Sequence, residues 1–78
     1  MNLYLLTQAA MDYGQTFVML VAAPSEDVAR LIAGRDQRSK GSSAAFDWID
    51  DEITEAKLIG HAADGTDPAV LMTKESAG

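Results

Sequence analysis

The stretch TFVMLVAAPSEDVARLI, residues 16–32, decides the fold because it joins a buried strand to a helix. Residues 16–23 are rich in β-branched, aromatic and apolar side chains on both faces, which predicts a central strand. Pro24 follows at once and cannot continue a central strand, since it has no backbone N–H to donate. The chain therefore changes from a strand to a helix within a few residues.

The helix that follows begins at a favourable cap. Ser25 can accept a hydrogen bond from the first helical turn, and the acids after it complement the helix dipole. Apolar side chains at helical spacing predict a helix over residues 26–33, with Gly34 at the C′ position. The polar sequence RDQRSKGSS at residues 35–43 predicts a mobile loop.

The remaining segments predict three more strands. We expect strands at residues 3–7, 53–62 and 69–73, turns at residues 8–15 and 64–68, and a loose tail at residues 74–78. Residues 44–57 fit a helix as well as a strand, and we prefer a helical turn at residues 44–50 before the strand. The prediction is a single α+β domain over residues 1–78, with one helix on one face of a mostly antiparallel four-stranded sheet. Its element order is β-β-α-β-β.

Composition restricts the functional classes. The 78 residues contain no cysteine, which excludes disulfides and thiolate chemistry and favours a reducing cytoplasm. The N-terminal residues lack the pattern of a signal peptide, and no apolar run is long enough for a membrane helix. The net charge of −6 disfavours direct binding to nucleic acid or to an anionic membrane, although acidity also serves plain solubility. A protein or ribonucleoprotein with a basic groove is the expected partner.

Charge is clustered in two places. Four of the six basic residues fall within eleven positions: Arg30, Arg35, Arg38 and Lys40. Five acids fall within nine positions: Asp47, Asp50, Asp51, Glu52 and Glu55. Each cluster can be an ordinary solvated face, but the acids can also imitate a row of phosphates and bind a basic nucleic-acid channel. Trp48 lies among these acids and is either a core residue or an interface anchor.

No set of residues indicates an enzyme, a cofactor or a metal. His61 is the only histidine, so a two-histidine site cannot form. The sequence from Gly34 to Lys40 does not match a phosphate-binding loop. The turn Asp64-Gly65-Thr66-Asp67 lacks the ligand spacing of a calcium loop. We therefore predict a binding protein without catalytic residues.

A resemblance adds to this interpretation. The opening MNLYLLTQ, the pair Tyr13-Gly14, the run VAAPSEDVAR at residues 21–30 and the sequence Leu58-Ile59-Gly60 resemble small phage and prophage proteins of unknown role. In residues 35–45 the likeness is lost. A small acidic phage protein is similar in kind to anti-CRISPR proteins, which share no common motif.

The resemblance and the acidic cluster together give a functional hypothesis. It is a phage inhibitor that acts in the host cytoplasm and blocks DNA binding by a type I CRISPR effector complex. The expected contact residues are Asp47, Trp48, Asp50, Asp51, Glu52 and Glu55. The alternative is a phage accessory or structural module that forms a homodimer through an exposed edge strand.

Overall fold

Four antiparallel strands form one sheet in the order β3-β1-β2-β4. The computed structural model describes residues 1–8, 16–41 and 45–75. The elements are the strands β1 (Asn2–Thr7), β2 (Thr16–Ala23), β3 (Glu55–His61) and β4 (Ala69–Glu75), the helix α1 (Glu26–Ser39) and a 3-10 helix (Ala45–Trp48). The predicted α+β class and the order β-β-α-β-β are confirmed, and β2 is a central strand as its apolar sequence predicts.

The core lies between one face of the sheet and α1. Alternate residues of β1 and β2 point towards the helix and are buried, as expected from the two-residue period of a strand. The buried apolar cluster consists of Tyr4, Leu6, Met19, Val21, Ala23, Ala29, Ala33 and Trp48. Small alanines on α1 let the helix approach the sheet closely. Ser25 caps this helix as predicted, since its Oγ accepts a hydrogen bond from the backbone N–H of Val28.

The helix is longer than predicted. Residues 35–39, expected in a mobile loop, continue α1 to Ser39, and Gly34 is a buried residue inside the helix instead of its C′ residue. A glycine in a helix interior costs about 1 kcal/mol, and the packing of α1 on the sheet offsets this cost. The left-handed residue that follows the helix is Gly41, with φ +78°. The rest of the predicted loop, residues 42–44, lies outside the described residues.

The second half of the chain follows the preferred prediction of a helical turn and then a strand, and not one helix over residues 44–57. A 3-10 helix occupies residues 45–48, inside the predicted helical turn, and a strand occupies residues 55–61, inside the predicted strand. Gly65, with φ +84°, lies in the predicted turn before β4. Lys74 and Glu75 belong to β4 and not to a loose tail, whereas residues 76–78 lie outside the described residues. The predicted turn at residues 8–15 is described only at Gln8.

Candidate functional site

The acidic cluster forms an exposed surface between α1 and β3. We call residues 47–55 the acidic segment; it runs from the end of the 3-10 helix through a series of turns into β3. Its exposed carboxylates belong to Asp50, Asp51, Glu52 and Glu55, and Asp47 is half-buried. The structure therefore places all five predicted acids on one short segment, with four of them accessible to a partner.

Two buried side chains attach this segment to the core. Trp48 is 1% exposed and packs in the apolar cluster with Ala29, Ala33 and the sheet. The indole is thus a core group, the first of the two interpretations of this residue, and it offers no surface to a partner. Thr54, at the other end of the segment, is fully buried. The segment is therefore held at both ends.

Thr54 organises the hydrogen bonds of the segment. Its hydroxyl donates to the carbonyl of Asp47 at 2.6 Å and accepts from the Gln8 amide at 3.2 Å. Its backbone N–H donates to the carbonyl of Asp50 at 2.9 Å. Within the turn, the Asp50 carboxylate accepts from the backbone N–H of Glu52 at 2.9 Å. These bonds fix the backbone that carries the carboxylates.

Arg30 lies directly beneath the acidic segment. The residue is 6% exposed, and its Nη1 donates to the carbonyl of Thr54 at 2.7 Å and to that of Asp50 at 3.5 Å. Its Nε donates to the Glu26 carboxylate at 3.2 Å. The sequence pattern groups Arg30 with a separate basic cluster, whereas the fold brings it to the acids. Its charge lowers the repulsion among nearby carboxylates while leaving them exposed.

The other basic residues of the predicted cluster lie further along α1. Lys40 pairs with Asp36 at 3.2 Å, one helical turn apart. Arg35 is exposed, and its side chain makes no hydrogen bond or ion pair with the other described residues. The basic cluster is therefore divided between a buried support for the acidic segment and the solvated end of the helix.

Glu26 is a surface acid that the sequence analysis does not include in the site. It reaches the segment through Arg30, which bonds both to its carboxylate and to the Asp50 and Thr54 carbonyls. The spacing of Glu26 and Arg30, four positions apart on a helix, is the sequence signal that could have linked them. Gln8 and Thr54 carry no comparable signal, because their contact joins residues 46 positions apart.

The site has the chemistry of a charged contact surface. Among the described residues, no group of three or more histidines, aspartates and glutamates is arranged to hold a metal ion. His61 lies at the end of β3, where its Nδ1 is 3.0 Å from the side-chain oxygen of Asn2. Exposed carboxylates on a fixed backbone attract a basic partner and steer its approach.

Comparisons of the chain with protein-family models, with curated proteins and with solved structures found no match. In the part of the chain that the structure describes, no helix has the length and hydrophobicity to cross a bilayer. The functional argument therefore depends on the geometry of the acidic segment.

Proposed function

We propose that this chain is a phage-encoded inhibitor that binds a type I CRISPR effector complex in the host cytoplasm and blocks its binding of DNA. The observation that carries the proposal is the acidic segment, whose exposed carboxylates stand on a backbone fixed by Trp48, Thr54 and Arg30. The proposal assigns no catalytic residue, cofactor or metal to the chain. The contact residues are Asp50, Asp51, Glu52 and Glu55, with Asp47 at the margin and Trp48 as a support only.

Rigidity supports this role. A basic nucleic-acid channel attracts any negative chain, but a flexible acidic loop loses conformational entropy when it binds. Here the hydrogen bonds of Thr54 and Arg30 are made before a partner arrives, so less entropy remains to be lost. The charges can therefore contribute to affinity as well as to the rate of association.

The test reverses two exposed acids, Asp51 and Glu52, whose side chains make no hydrogen bond or ion pair with another described residue. We expect Asp51→Lys with Glu52→Lys to weaken binding to a purified type I effector by about tenfold or more, since two attractive contacts become repulsive. The assay measures how much of the chain is needed to displace target DNA from the effector in a gel-shift experiment.

The matched control is Asp64→Lys with Asp67→Lys, which changes the net charge equally at two exposed acids in the turn before β4. This variant should bind within about threefold of the unmodified chain if the acidic segment is the contact surface. Equal losses in both variants would show that only net charge matters. Full inhibition by a folded Asp51/Glu52 variant would contradict the proposal.

A homodimeric accessory module is the second candidate, and the exposed sheet edges favour it. In the described part of the chain, β3 and β4 each have one edge without a neighbouring strand, and they expose Leu58, Ile59, Leu71 and Met72. Free edges and exposed apolar side chains are common sites of self-association. A chain that dimerises but leaves DNA binding by the effector unchanged would support this candidate over the inhibitor.

A further inference from the structure

The face of the sheet opposite α1 is apolar at its centre. Alternation along the strands places on it Leu3, Leu5, Val18, Leu20, Ala22 and Met72. None of these belongs to the cluster that packs under the helix. Met72 is 66% exposed, the leucines and Val18 are half-buried, and Ala22 is fully buried. The 3-10 helix and α1 both lie on the other side, so neither covers this face. We call it the open face.

Strand pairing arranges the open face in three rows that cross all four strands. The first row is Glu55, Thr7, Val18 and Lys74. The second row is Lys57, Leu5, Leu20 and Met72. The third row is Gly60, Leu3, Ala22 and Ala69. The central strands therefore contribute apolar residues apart from Thr7, and the charges lie on the two edge strands.

The first row ends in opposite charges that cannot pair within one molecule. Glu55 and Lys74 are three strand spacings apart, about 14 Å, which exceeds the reach of both side chains. Neither makes an ion pair with another described residue. Lys74 is instead held with its Nζ 5.8 Å from the centre of the Phe17 ring. Each edge thus carries one charge of the first row that has no opposite partner within residues 1–8, 16–41 and 45–75.

We propose that the open face binds a second copy of this chain, with the two-fold axis parallel to the strands. Rotation about such an axis keeps each row at its own level and exchanges the two edges of the sheet. Glu55 then faces Lys74 of the second copy, and the reverse pair forms at the other edge. Between them Leu5 faces Leu20 in the second row, and Lys57 at one edge faces Met72 of the second copy. The charges of the first row are therefore self-complementary.

The size of the face limits the strength of the dimer. Four strands spaced about 4.8 Å apart, each about six residues long, give a face of roughly 20 by 20 Å. Two such faces bury an area at the low end of specific interfaces, and the net charge of −6 on each copy opposes association. The dimer is therefore weak and should be measured at high protein concentration by sedimentation equilibrium.

Charge exchange tests the proposed pairing. Glu55→Lys and Lys74→Glu should each weaken the dimer by about tenfold, because each creates two like-charge contacts in the dimer. The double variant restores opposite charges and should return to within about threefold of the unmodified chain. The arrangement would be overturned if the losses of dimer affinity simply added in the double variant. It would also be overturned if Lys57→Glu, and not Lys74→Glu, rescued Glu55→Lys.

A second pair of variants tests the second row at exposed positions where folding is not at risk. Met72→Lys should abolish the dimer, since Met72 would face Lys57 of the second copy and the change creates two like-charge contacts. Leu58→Lys is the matched control, because Leu58 is 52% exposed and pairs with Tyr4 on the helix side of the sheet. Equal effects of both changes, or a strict monomer at millimolar concentration, would refute the proposal. The inhibition assay uses Asp51 and Glu52, so its outcome is independent of this one.

Discussion

Arg30 has a structural role that its neighbours in the sequence do not indicate. A cation that is 6% exposed is costly unless it is paired and hydrogen-bonded, and here the Glu26 carboxylate and two backbone carbonyls meet these needs. Hydrogen bonds to charged groups contribute more than neutral ones. Arg30 therefore joins the helix to the acidic segment by stabilising both.

Removing the Arg30 guanidinium should destabilise the fold. We expect Arg30→Ala to lower the free energy of unfolding by about 2 kcal/mol, because the buried Thr54 carbonyl loses its short hydrogen bond from the guanidinium. Urea unfolding followed by the fluorescence of Trp48 measures this change. The control is Arg35→Ala, at an exposed position of the same helix, with an expected change below about 0.5 kcal/mol. Similar values for the two variants would contradict the role assigned to Arg30.

At the scale of elements, the end of α1 shows how packing overrides local preference. Gly34 is a typical end signal, yet the helix continues past it for five more residues, to Ser39. Gln37 is buried on this extension, so the added turn belongs to the packed helix. The chain leaves the helix at Gly41, where the N–H bonds to the carbonyl of Arg38. The left-handed conformation there is what glycine permits.

Gly41 and Gly60 show that the cost of replacing a glycine can come from its backbone conformation alone, without a steric clash. A Cβ at either Gly41 or Gly60 would meet no atom within 4 Å, but only Gly41 has a positive φ, +78°. We expect Gly41→Ala to destabilise the fold by about 1 kcal/mol, which is the cost of a left-handed L-residue. Gly60→Ala should be neutral or slightly stabilising, because it restricts the unfolded chain. Thermal unfolding of both variants checks this difference, and equal melting temperatures would contradict it.

The strands were predictable because their signals are local. Residues 16–23 are β2 as the sequence predicts, and the other strands differ by one to three residues at their ends. The acidic segment was also visible, since five acids lie within nine positions. The burial of Trp48 and Arg30 could not be predicted from the sequence, because it depends on how the helix, the 3-10 helix and the sheet pack together. Predicting the open face requires the order and register of the strands, and no single segment of the sequence specifies these.

At the scale of the whole molecule, the acidic segment and the apolar face of the sheet lie on opposite sides. The acidic segment is attached to the helix side by Trp48 and Arg30, and the apolar open face lies on the opposite side of the sheet. The proposed dimer would leave Asp50, Asp51 and Glu52 accessible, since they do not belong to the rows of the open face, whereas Glu55 would face Lys74 of the second copy. The two proposals therefore share Glu55, and binding of an effector by the dimer would depend on the other three exposed acids.

The charge of the whole molecule predicts a salt dependence. A net charge of −6 should accelerate association with a basic channel, and counterions screen this attraction. We expect the affinity for the effector to fall by about tenfold or more when salt rises from about 50 to about 200 mM. Titration at several salt concentrations measures the slope. An affinity that does not change with salt would indicate a contact made by apolar surfaces instead.

The strand order also determines how the chain can fold. β1 and β2 are consecutive and form the centre of the sheet, whereas β3 and β4 add to the outside of this hairpin later in the sequence. Asn2 pairs with His61, a contact that closes a loop of most of the chain. Contacts between distant residues slow folding, so we expect milliseconds to seconds instead of the microseconds of small helical proteins. Until residues 55–75 dock, both edges of the central hairpin lack a neighbouring strand, and chaperones or other chains can bind there.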